Sequence, residues 1–333
     1  MLAVLIAFLP VVLFLAVLVF FDSFKLVPTA TLLRGLGMGA VAAVAALAVH
    51  VVILRWTGTT PWVLSRYIAP ITEETLKACC VLIPLRRRQI GFLVDAAIVG
   101  FAIGTGFAVV ENIDYLLRLG EGRIWLWIAR GFGTAILHAT TTAIIALGAK
   151  ALMDRTPSRG LSAIVPGWLA AVFLHSLFNH ALISPLLSAA VLLIVLPMVV
   201  LYVFSRSERV TREWVSEGMD LDVELLQLVR SSHFGGTRLG RYLHELRARF
   251  PGPVVADMFC LLQLDLELAI RAKGMLMARE AGLEVPRDPD LQAKLAERVY
   301  LHKAIGNTGM LALRPLQVTS DRDDWHQYLL RNA

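Results

Sequence analysis

Polar and ionisable side chains interrupt four long apolar stretches of the sequence. In chain order the four stretches carry Glu73, Glu74 and Lys77; Asp95, Glu111, Asn112 and Asp114; His138 with Thr140, Thr141 and Thr142; and His175, Asn179 and His180. Such groups are costly in lipid, so they usually pair with one another and mark a functional site. Carboxylates and imidazoles also serve in general acid–base catalysis and in metal binding. The pattern therefore predicts a chemically active polar site inside a membrane.

The depths of four of these residues in their stretches agree. Glu73, Glu111, His138 and His175 lie seven to nine residues inside the outer end of their stretches; for His138 we take Arg130 as that end. A helix rises about 1.5 Å per residue, which places all four residues about 10–14 Å below the outer surface. Chance would scatter them through about 30 Å of hydrocarbon. The depths thus predict a single site, on four helices, nearer the outer face.

Helical spacing indicates which side chains share a face. His175 and Asn179 are four residues apart, as are Glu73 and Lys77, so Lys77 can neutralise one of the adjacent glutamates. Three neighbouring carboxylates cannot all stay ionised in a low dielectric, so at least one is expected to keep its proton more readily. A carboxyl in that state suits general acid–base catalysis.

Two other histidines are predicted to lie outside the site. His180 is five positions from His175 and points away from it, and His50 is near the outer end of its apolar stretch.

The elements that position these residues are membrane helices. The chain has 333 residues, of which 57% are hydrophobic and 17% charged. Ordinary soluble domains are about 45–50% apolar and about 25% charged, so a purely soluble enzyme, a disordered chain and a fibrous repeat are excluded. Stretches long enough to cross a bilayer lie at about 1–21, 36–54, 62–85, 90–117, 131–149, 164–182 and 183–205. The fold class is therefore predicted as all-α, a polytopic bundle of about seven membrane segments.

Residues 206–333 are predicted to form a separate soluble domain. Residues 1–205, the membrane domain, contain 14 Lys and Arg against 8 Asp and Glu, whereas the tail contains 18 of each. The formal charge of +6 therefore belongs to the membrane loops and does not indicate nucleic-acid binding. An amphipathic helix is predicted from Val255, Phe259, Leu262, Leu266 and Ala269. The tail has no catalytic cluster, and its role is left open.

The basic residues of the loops predict the orientation. Alternate loops hold 11 Lys and Arg in one set and 4 in the other. Cytoplasmic loops carry the excess of Lys and Arg. The N-terminus is thus expected outside and the C-terminal domain in the cytoplasm.

Four motifs on successive segments resemble those of the PrsW family of intramembrane proteases. Residues 69–77, Ala-Pro-Ile-Thr-Glu-Glu-Thr-Leu-Lys, resemble its EExxK motif, and residues 95–112 resemble its glycine-rich segment that ends in GxGFAxxEN. Residues 138–142 resemble HxxxT, and residues 175–179 resemble HxxxN. The motifs lie within residues 65–182, in the family's order. Ala96 stands where the family usually has Gly, which leaves the chemistry unchanged.

The resemblance implies a multi-pass protein of the bacterial cell (inner) membrane that hydrolyses a peptide bond of a single-pass membrane protein. In the best-known case this substrate is an anti-sigma factor that is cut on its outer side. Membrane lipid is the other expected partner. The implied catalytic residues are Glu73, Glu74, Glu111, His138, His175 and Asn179, with Lys77, Asn112 and Thr142 in support.

Two mechanisms are compatible with these residues. In one, the Glu73/Glu74 pair activates a water while His138, His175 and Asn179 orient it or stabilise the oxyanion, and no cofactor is needed. In the other, Glu74, Glu111, His138 and His175 hold a zinc ion whose bound water is the nucleophile. The HExxH motif is absent, and a zinc site built from four helices is unusual. The sequence therefore favours the glutamate mechanism.

Other function classes also use buried Glu and His. A proton- or ion-coupled transporter is one alternative, although the sequence shows no inverted repeat and no paired broken helices. A catalytically idle relative that only binds membrane partners is another. Every polar residue of the four motifs is present, which favours the peptidase.

Overall fold

The computed structural model describes residues 2–120, 123–156, 160, 162–180, 184–285, 288–315 and 321–331. These residues form helices and no strand, which confirms the all-α prediction. The chain divides into two compact units, Met1–Glu208 and Arg209–Ala333. Each unit is described by itself.

The first unit is a bundle of long apolar helices. Its elements are α1 (Leu2–Phe21), α2 (Thr29–Trp56), α3 (Pro61–Val63), a π-helix (Leu64–Ile68), α4 (Ala69–Arg86), α5 (Leu93–Leu119), α6 (Ile124–Ile128), a second π-helix (Ala129–Ala135), α7 (Ile136–Arg155), α8 (Ile164–Asn179) and α9 (Pro185–Arg230). The last helix continues without a break into the second unit.

Five of these helical stretches are long and apolar enough to cross a membrane. They are Leu2–Phe21, Thr29–Trp56, Leu93–Leu119, Ile124–Arg155 and Leu186–Arg230. The other two predicted segments correspond to α4, which carries four charged residues, and α8, which has only 16 residues. Both contain residues of the predicted site. The polar side chains that the site needs make α4 a weak membrane segment by composition.

Helix α5 lies at the centre of the bundle and packs on α2 and α7. Glycines permit this close approach, because a Cβ at Gly104 would lie 2.3 Å from the carbonyl oxygen of His138. On another side of α5, a Cβ at Gly106 would lie 2.0 Å from the carbonyl oxygen of Leu36 in α2. Small residues at such crossings let membrane helices come into backbone contact. The glycines thereby bring α5 and α7 close enough for Glu111 to contact His138.

The second unit contains the end of α9 and a set of shorter helices. These are a 3₁₀ turn (Phe234–Gly236), α10 (Arg238–Leu246), α11 (Gly252–Glu280), α12 (Leu291–Leu313) and α13 (Asp321–Arg331). The predicted amphipathic helix is part of α11, but within the predicted segment, residues 255–269, the buried residues are Val255, Met258, Leu261, Leu264 and Leu268. Because α11 contacts α10, α12 and α13, burial covers more than one of its faces, and the other predicted core positions are half-buried.

Candidate active site

A cavity of about 380 Å³ lies among the helices of the first unit. Helices α4, α5, α7 and α8 bring most of the predicted side chains to it, and α2 adds one more. The polar residues that line the cavity include His50, Glu73, Glu111, Arg130, His138 and His175. The structure thus gathers residues that are up to 125 positions apart into one polar site.

Glu74 lies behind the cavity and is completely buried. Lys77 Nζ donates a hydrogen bond to its Oε1 at 2.6 Å, and Thr141 Oγ1 donates to the same oxygen at 3.3 Å. The Nδ1 of His175 lies 2.7 Å from that oxygen as well. Lys77 was expected to neutralise one of the two adjacent glutamates, and it pairs with Glu74, three positions away, because both side chains point into the helix interface.

Glu111 is the second paired carboxylate. Its Oε2 lies 2.9 Å from Nε2 of His138 and 3.1 Å from Nη2 of Arg130. Glu111 therefore has a cation on one side and an imidazole on the other. It supports the ring of His138 much as Glu74 supports the ring of His175.

Glu73 is the carboxylate without a cation. Its Oε2 lies 3.9 Å from Nδ1 of His138 and 3.9 Å from Nε2 of His175, and its Oε1 lies 4.0 Å from Nδ1 of His50. No lysine or arginine in the described part of the chain forms an ion pair with it. Its buried Oε2 also accepts no hydrogen bond from any described residue. This oxygen therefore faces the cavity with its lone pairs unused.

The two supporting carboxylates determine how both imidazoles are oriented. A carboxylate only accepts hydrogen bonds, so the proton of His175 is assigned to Nδ1, beside Glu74, and that of His138 to Nε2, beside Glu111. The lone pairs of His175 Nε2 and His138 Nδ1 then face Glu73. Lys77 Nζ, 3.1 Å from His138 Nδ1, donates to one of them.

Three electron-pair donors therefore converge on one point. Ligand atoms of Glu73, His138 and His175 all lie within 4.8 Å of one another, and the three residues are buried. One carboxylate and two imidazoles form a set that suits Zn²⁺ and leaves a position for water. The zinc set expected from sequence contained Glu74 and Glu111 and not Glu73, but Glu74 and Glu111 bind the far edges of the imidazoles. Carboxylates in that position orient histidine ligands in metal sites.

Asn179 lines the cavity, but its amide is engaged elsewhere. Its Nδ2 donates to the carbonyl of Ser65 at 2.8 Å, and Ser176 Oγ donates to the carbonyl of Arg66 at 2.7 Å. Both carbonyls belong to the first π-helix. A π-helix pairs its backbone groups irregularly and often occurs at functional sites. Asn179 thus ties α8 to the segment that leads into α4, and this contact holds His175 opposite Glu73.

Two of the predicted supporting residues, Asn112 and Thr142, are not among the residues that line the cavity, and each donates a hydrogen bond to a backbone carbonyl. Asn112 Nδ2 donates to the carbonyl of Ala7 at 2.8 Å, and Thr142 Oγ1 donates to the carbonyl of His138 at 2.8 Å. Sequence analysis did not single out Thr141, whose hydroxyl reaches Glu74. Adjacent threonines point to different neighbours, so only the helix packing distinguishes them.

Sequence analysis also missed His50 and Arg130. His50 was expected outside the site, yet it lines the cavity, and its Nε2 lies 2.7 Å from Oγ1 of Thr72. Arg130 was used as the outer end of a membrane segment, yet it is only 7% exposed and contacts Glu111. The apolar run of residues 124–129 before Arg130 was a signal that this arginine lies inside the segment. His180 binds the carbonyl of Ser176 and is not among the residues that line the cavity.

Comparison with known proteins places this geometry in context. The profile of a family described as "PrsW family intramembrane metalloprotease" matches residues 27–205, which is more than half of the chain. No curated protein and no solved structure matches the chain.

Proposed function

The chain belongs to the PrsW family of intramembrane proteases, and from this premise we propose that it cleaves a single-pass membrane protein by activating a water molecule at Glu73. Membership makes the chain a multi-pass membrane peptidase. Four further points are proposals: the residue that activates the water, the cofactor, the substrate, and the side of the membrane on which the substrate is cut.

The observation that carries the proposal is the unequal pairing of three glutamates. Lys77 lies 2.6 Å from Glu74 and Arg130 lies 3.1 Å from Glu111, whereas the basic groups within 4.0 Å of Glu73 among the described residues are imidazoles. A carboxylate that is held by an ammonium or guanidinium group is a poor proton acceptor. Glu73 is the one whose lone pairs face the cavity, so it is the carboxylate free to hold the attacking water, either directly or through a bound metal ion.

The unused donors around Glu73 also support a resident metal. An oxyanion hole needs N–H or O–H groups, but the imidazole nitrogens that face Glu73 are acceptors when the ring protons lie on the opposite nitrogens, beside the supporting glutamates. Glu73, His138 and His175 would hold a Zn²⁺ ion. Such an ion supplies a bound water with a pKa near 7 and polarises the scissile carbonyl. Lys77 also contacts His138 Nδ1. If that nitrogen bound the metal, Lys77 could still donate hydrogen bonds to Glu74 and Thr141.

The other residues contribute position and exclude water. Glu74 and Glu111 fix the imidazole rings, and Asn179 holds α8 against the first π-helix. In hydrolysis, the water oxygen bonds to the carbonyl carbon, the C–N bond breaks, and a proton passes to the leaving amine. Burial of Glu74, Lys77 and His138 keeps bulk water away from the groups that must remain paired.

We further propose that the substrate is an anti-sigma-factor-like protein with one membrane span, cut near the outer face. Two arguments support this: the resemblance of the four motifs, and the excess of basic residues in the loops expected in the cytoplasm. The expected depth of the site, about 10–14 Å below the outer surface, suits a bond just inside the outer end of a substrate helix.

The experiment is comparative membrane proteomics of cells that express the wild-type protein, Glu73→Gln or Asp154→Asn. Asp154 pairs with Lys150 near the other end of α7 and is the matched control. A membrane-protein fragment should be present with the wild-type protein and the control, and absent with Glu73→Gln. An unchanged set of fragments with Glu73→Gln would refute the proposed role of Glu73.

A further inference from the structure

Arg130 is a buried arginine that contacts three side chains of a single helix. Its Nε donates to Asn112 Oδ1 at 2.8 Å, its Nη2 lies 3.1 Å from Glu111 Oε2, and its guanidinium carbon lies 3.5 Å from the centre of the Tyr115 ring. All three belong to α5, whereas Arg130 lies in the π-helix before α7. A planar guanidinium that forms directed hydrogen bonds and stacks on a ring at once is held in one orientation.

The same oxygen of Glu111 receives Arg130 and His138. Oε2 lies 3.1 Å from Arg130 Nη2 and 2.9 Å from His138 Nε2. Arg130 and His138 are eight residues apart in one continuous helical stretch, and the π-helix between them brings both side chains to α5. Removal of either one would leave the Glu111 carboxylate free to move away from the other.

The network also continues away from the cavity. Asn112, whose Oδ1 accepts from Arg130, donates through Nδ2 to the carbonyl of Ala7 in α1. Asn112 and Tyr115, which are neutral, therefore anchor Arg130 on one side, and Glu111 anchors it on the side of His138. The buried Nη2 forms no hydrogen bond with the described residues, so its ion pair with Glu111 compensates for the burial of the guanidinium, while the Nε hydrogen bond to Asn112 holds the group in place. Among the described residues its ion pair is with Glu111 and not with Glu73.

From this geometry we propose that Arg130 is a positioning residue, which holds Glu111 against Nε2 of His138 so that Nδ1 of His138 faces Glu73. The inference rests on the proposed function, because it matters for catalysis only if Glu73 is the reactive group. Arg130 acts through Glu111 and His138 and does not itself bind the reacting atoms.

The test compares Arg130→Gln, Arg130→Lys and Glu111→Gln with the wild-type protein in liposomes. The probe is a quenched-fluorophore single-pass peptide that carries the segment cut in the proteomic experiment. The matched control is Lys150→Gln, because Lys150 is also a buried cation that pairs with a carboxylate, Asp154, but does not line the cavity. Arg130→Gln should lower kcat by about 10- to 100-fold, the usual effect of removing a group that orients a ligand, with KM changed less than about twofold. Arg130→Lys keeps the positive charge but lacks the planar guanidinium with its several N–H donors, so it should lower kcat less than Arg130→Gln does.

A second readout does not depend on activity. The ¹⁵N signals of the His138 imidazole, assigned by subtraction of a His138→Ala spectrum, report which nitrogen carries the proton. Glu111→Gln and Arg130→Gln should change these signals in the same way, and Lys150→Gln should leave them unchanged. If Arg130→Gln does not fold, the Lys variant carries the test: a smaller shift in the same direction supports the proposal, and wild-type signals contradict it.

The outcomes separate the two proposals. Full activity of Glu73→Gln would refute the proposed function. Loss of activity in Glu73→Gln together with wild-type kcat and wild-type His138 signals in Arg130→Gln would refute only the role of Arg130.

Discussion

Glu74 Oε1 lies 2.7 Å from Nδ1 of His175, and this contact determines which edge of the imidazole faces the cavity. The buried carboxylate takes the proton-bearing nitrogen, so Nε2 presents a lone pair toward Glu73, 3.9 Å away. Two glutamates that are adjacent in sequence thus have different surroundings: Glu74 orients a histidine, and Glu73 faces the cavity.

The first prediction separates these tasks. Glu73→Gln should abolish cleavage and leave stability near the wild-type value, because Glu73 has no ion pair with a lysine or arginine of the described chain. Glu74→Gln should abolish cleavage and also lower the free energy of unfolding by about 3–5 kcal/mol, because it leaves the buried Lys77 without its counter-charge. Cleavage assays and thermal unfolding in the same detergent measure both effects. Equal stability of the two variants would contradict this division.

The second prediction concerns metal. The purified protein should contain about one zinc-like divalent ion per chain, and Glu73→Gln and His175→Ala should each lose it. Exhaustive chelation should remove activity, and one equivalent of metal should restore it. His180→Ala is the control, because His180 does not line the cavity. Full activity of protein that mass spectrometry shows to be metal-free would instead establish direct activation of water by Glu73.

The third prediction concerns His50. His50→Ala should reduce the cleavage rate by about tenfold, a typical effect of removing a side chain that supports a reactive group. Its imidazole lies 4.0 Å from Glu73 Oε1 and 2.7 Å from Thr72 Oγ1, so its loss removes the neighbour of Glu73 on the α2 side. The rates of His50→Ala and His180→Ala can be compared in the liposome assay. Identical rates for the two variants would place His50 outside the catalytic site.

The fourth prediction concerns orientation. A reporter fused after Arg206 should report the cytoplasm, and one inserted between Ser184 and Pro185 should report the outside. Both follow from the 11-to-4 asymmetry of basic residues between the two sets of loops. Protease protection of the same fusions gives an independent measurement. If both reporters lay on the opposite sides, the proposal of cleavage near the outer face would fail.

The fifth prediction concerns acid sensitivity of the second unit. Burial by itself raises the pKa of Glu267, but hydrogen bonds from Lys294, Gln263 and Arg230 outweigh it and lower the pKa from 4.5 to about 2. A carboxyl with a lowered pKa in the folded state stabilises the fold above its unfolded pKa and loses this contribution as the pH falls. The second unit should therefore become less stable between pH 4.5 and about 2.

Glu267→Gln tests this acid sensitivity. The variant should be less stable at pH 7 and should lack the part of the acid-induced loss that Glu267 causes. Hydrogen–deuterium exchange of peptides from residues 252–280 in the full-length protein, corrected for the pH dependence of intrinsic exchange, measures both effects. An unchanged pH dependence in the variant would contradict the assignment.

Much of the architecture could be predicted because the membrane imposes simple rules on sequence. About 20 apolar residues are needed to cross a bilayer, and polar groups inside are too costly to keep without a use. Glu73, Glu111, His138 and His175 were therefore recognisable from their rarity and shared depth, and the structure places all four at one cavity. Helical periodicity similarly located α11, although its buried face differs from the predicted one because three neighbouring helices cover it.

The pairing of charges required the tertiary structure. Lys77 can reach either Glu73 or Glu74 by helical spacing, and only the packing of α4 against α7 and α8 directs it to Glu74. Arg130 and His50 enter the site through a π-helix and through the close approach of α2, which short-range patterns do not describe. Residue types and helical period are local properties of the chain, whereas contacts between side chains depend on distances of a few ångströms between helices. The sequence alone thus determined which polar groups lie within the apolar segments, and the fold decided which carboxylate faces the cavity without a cation among the described residues.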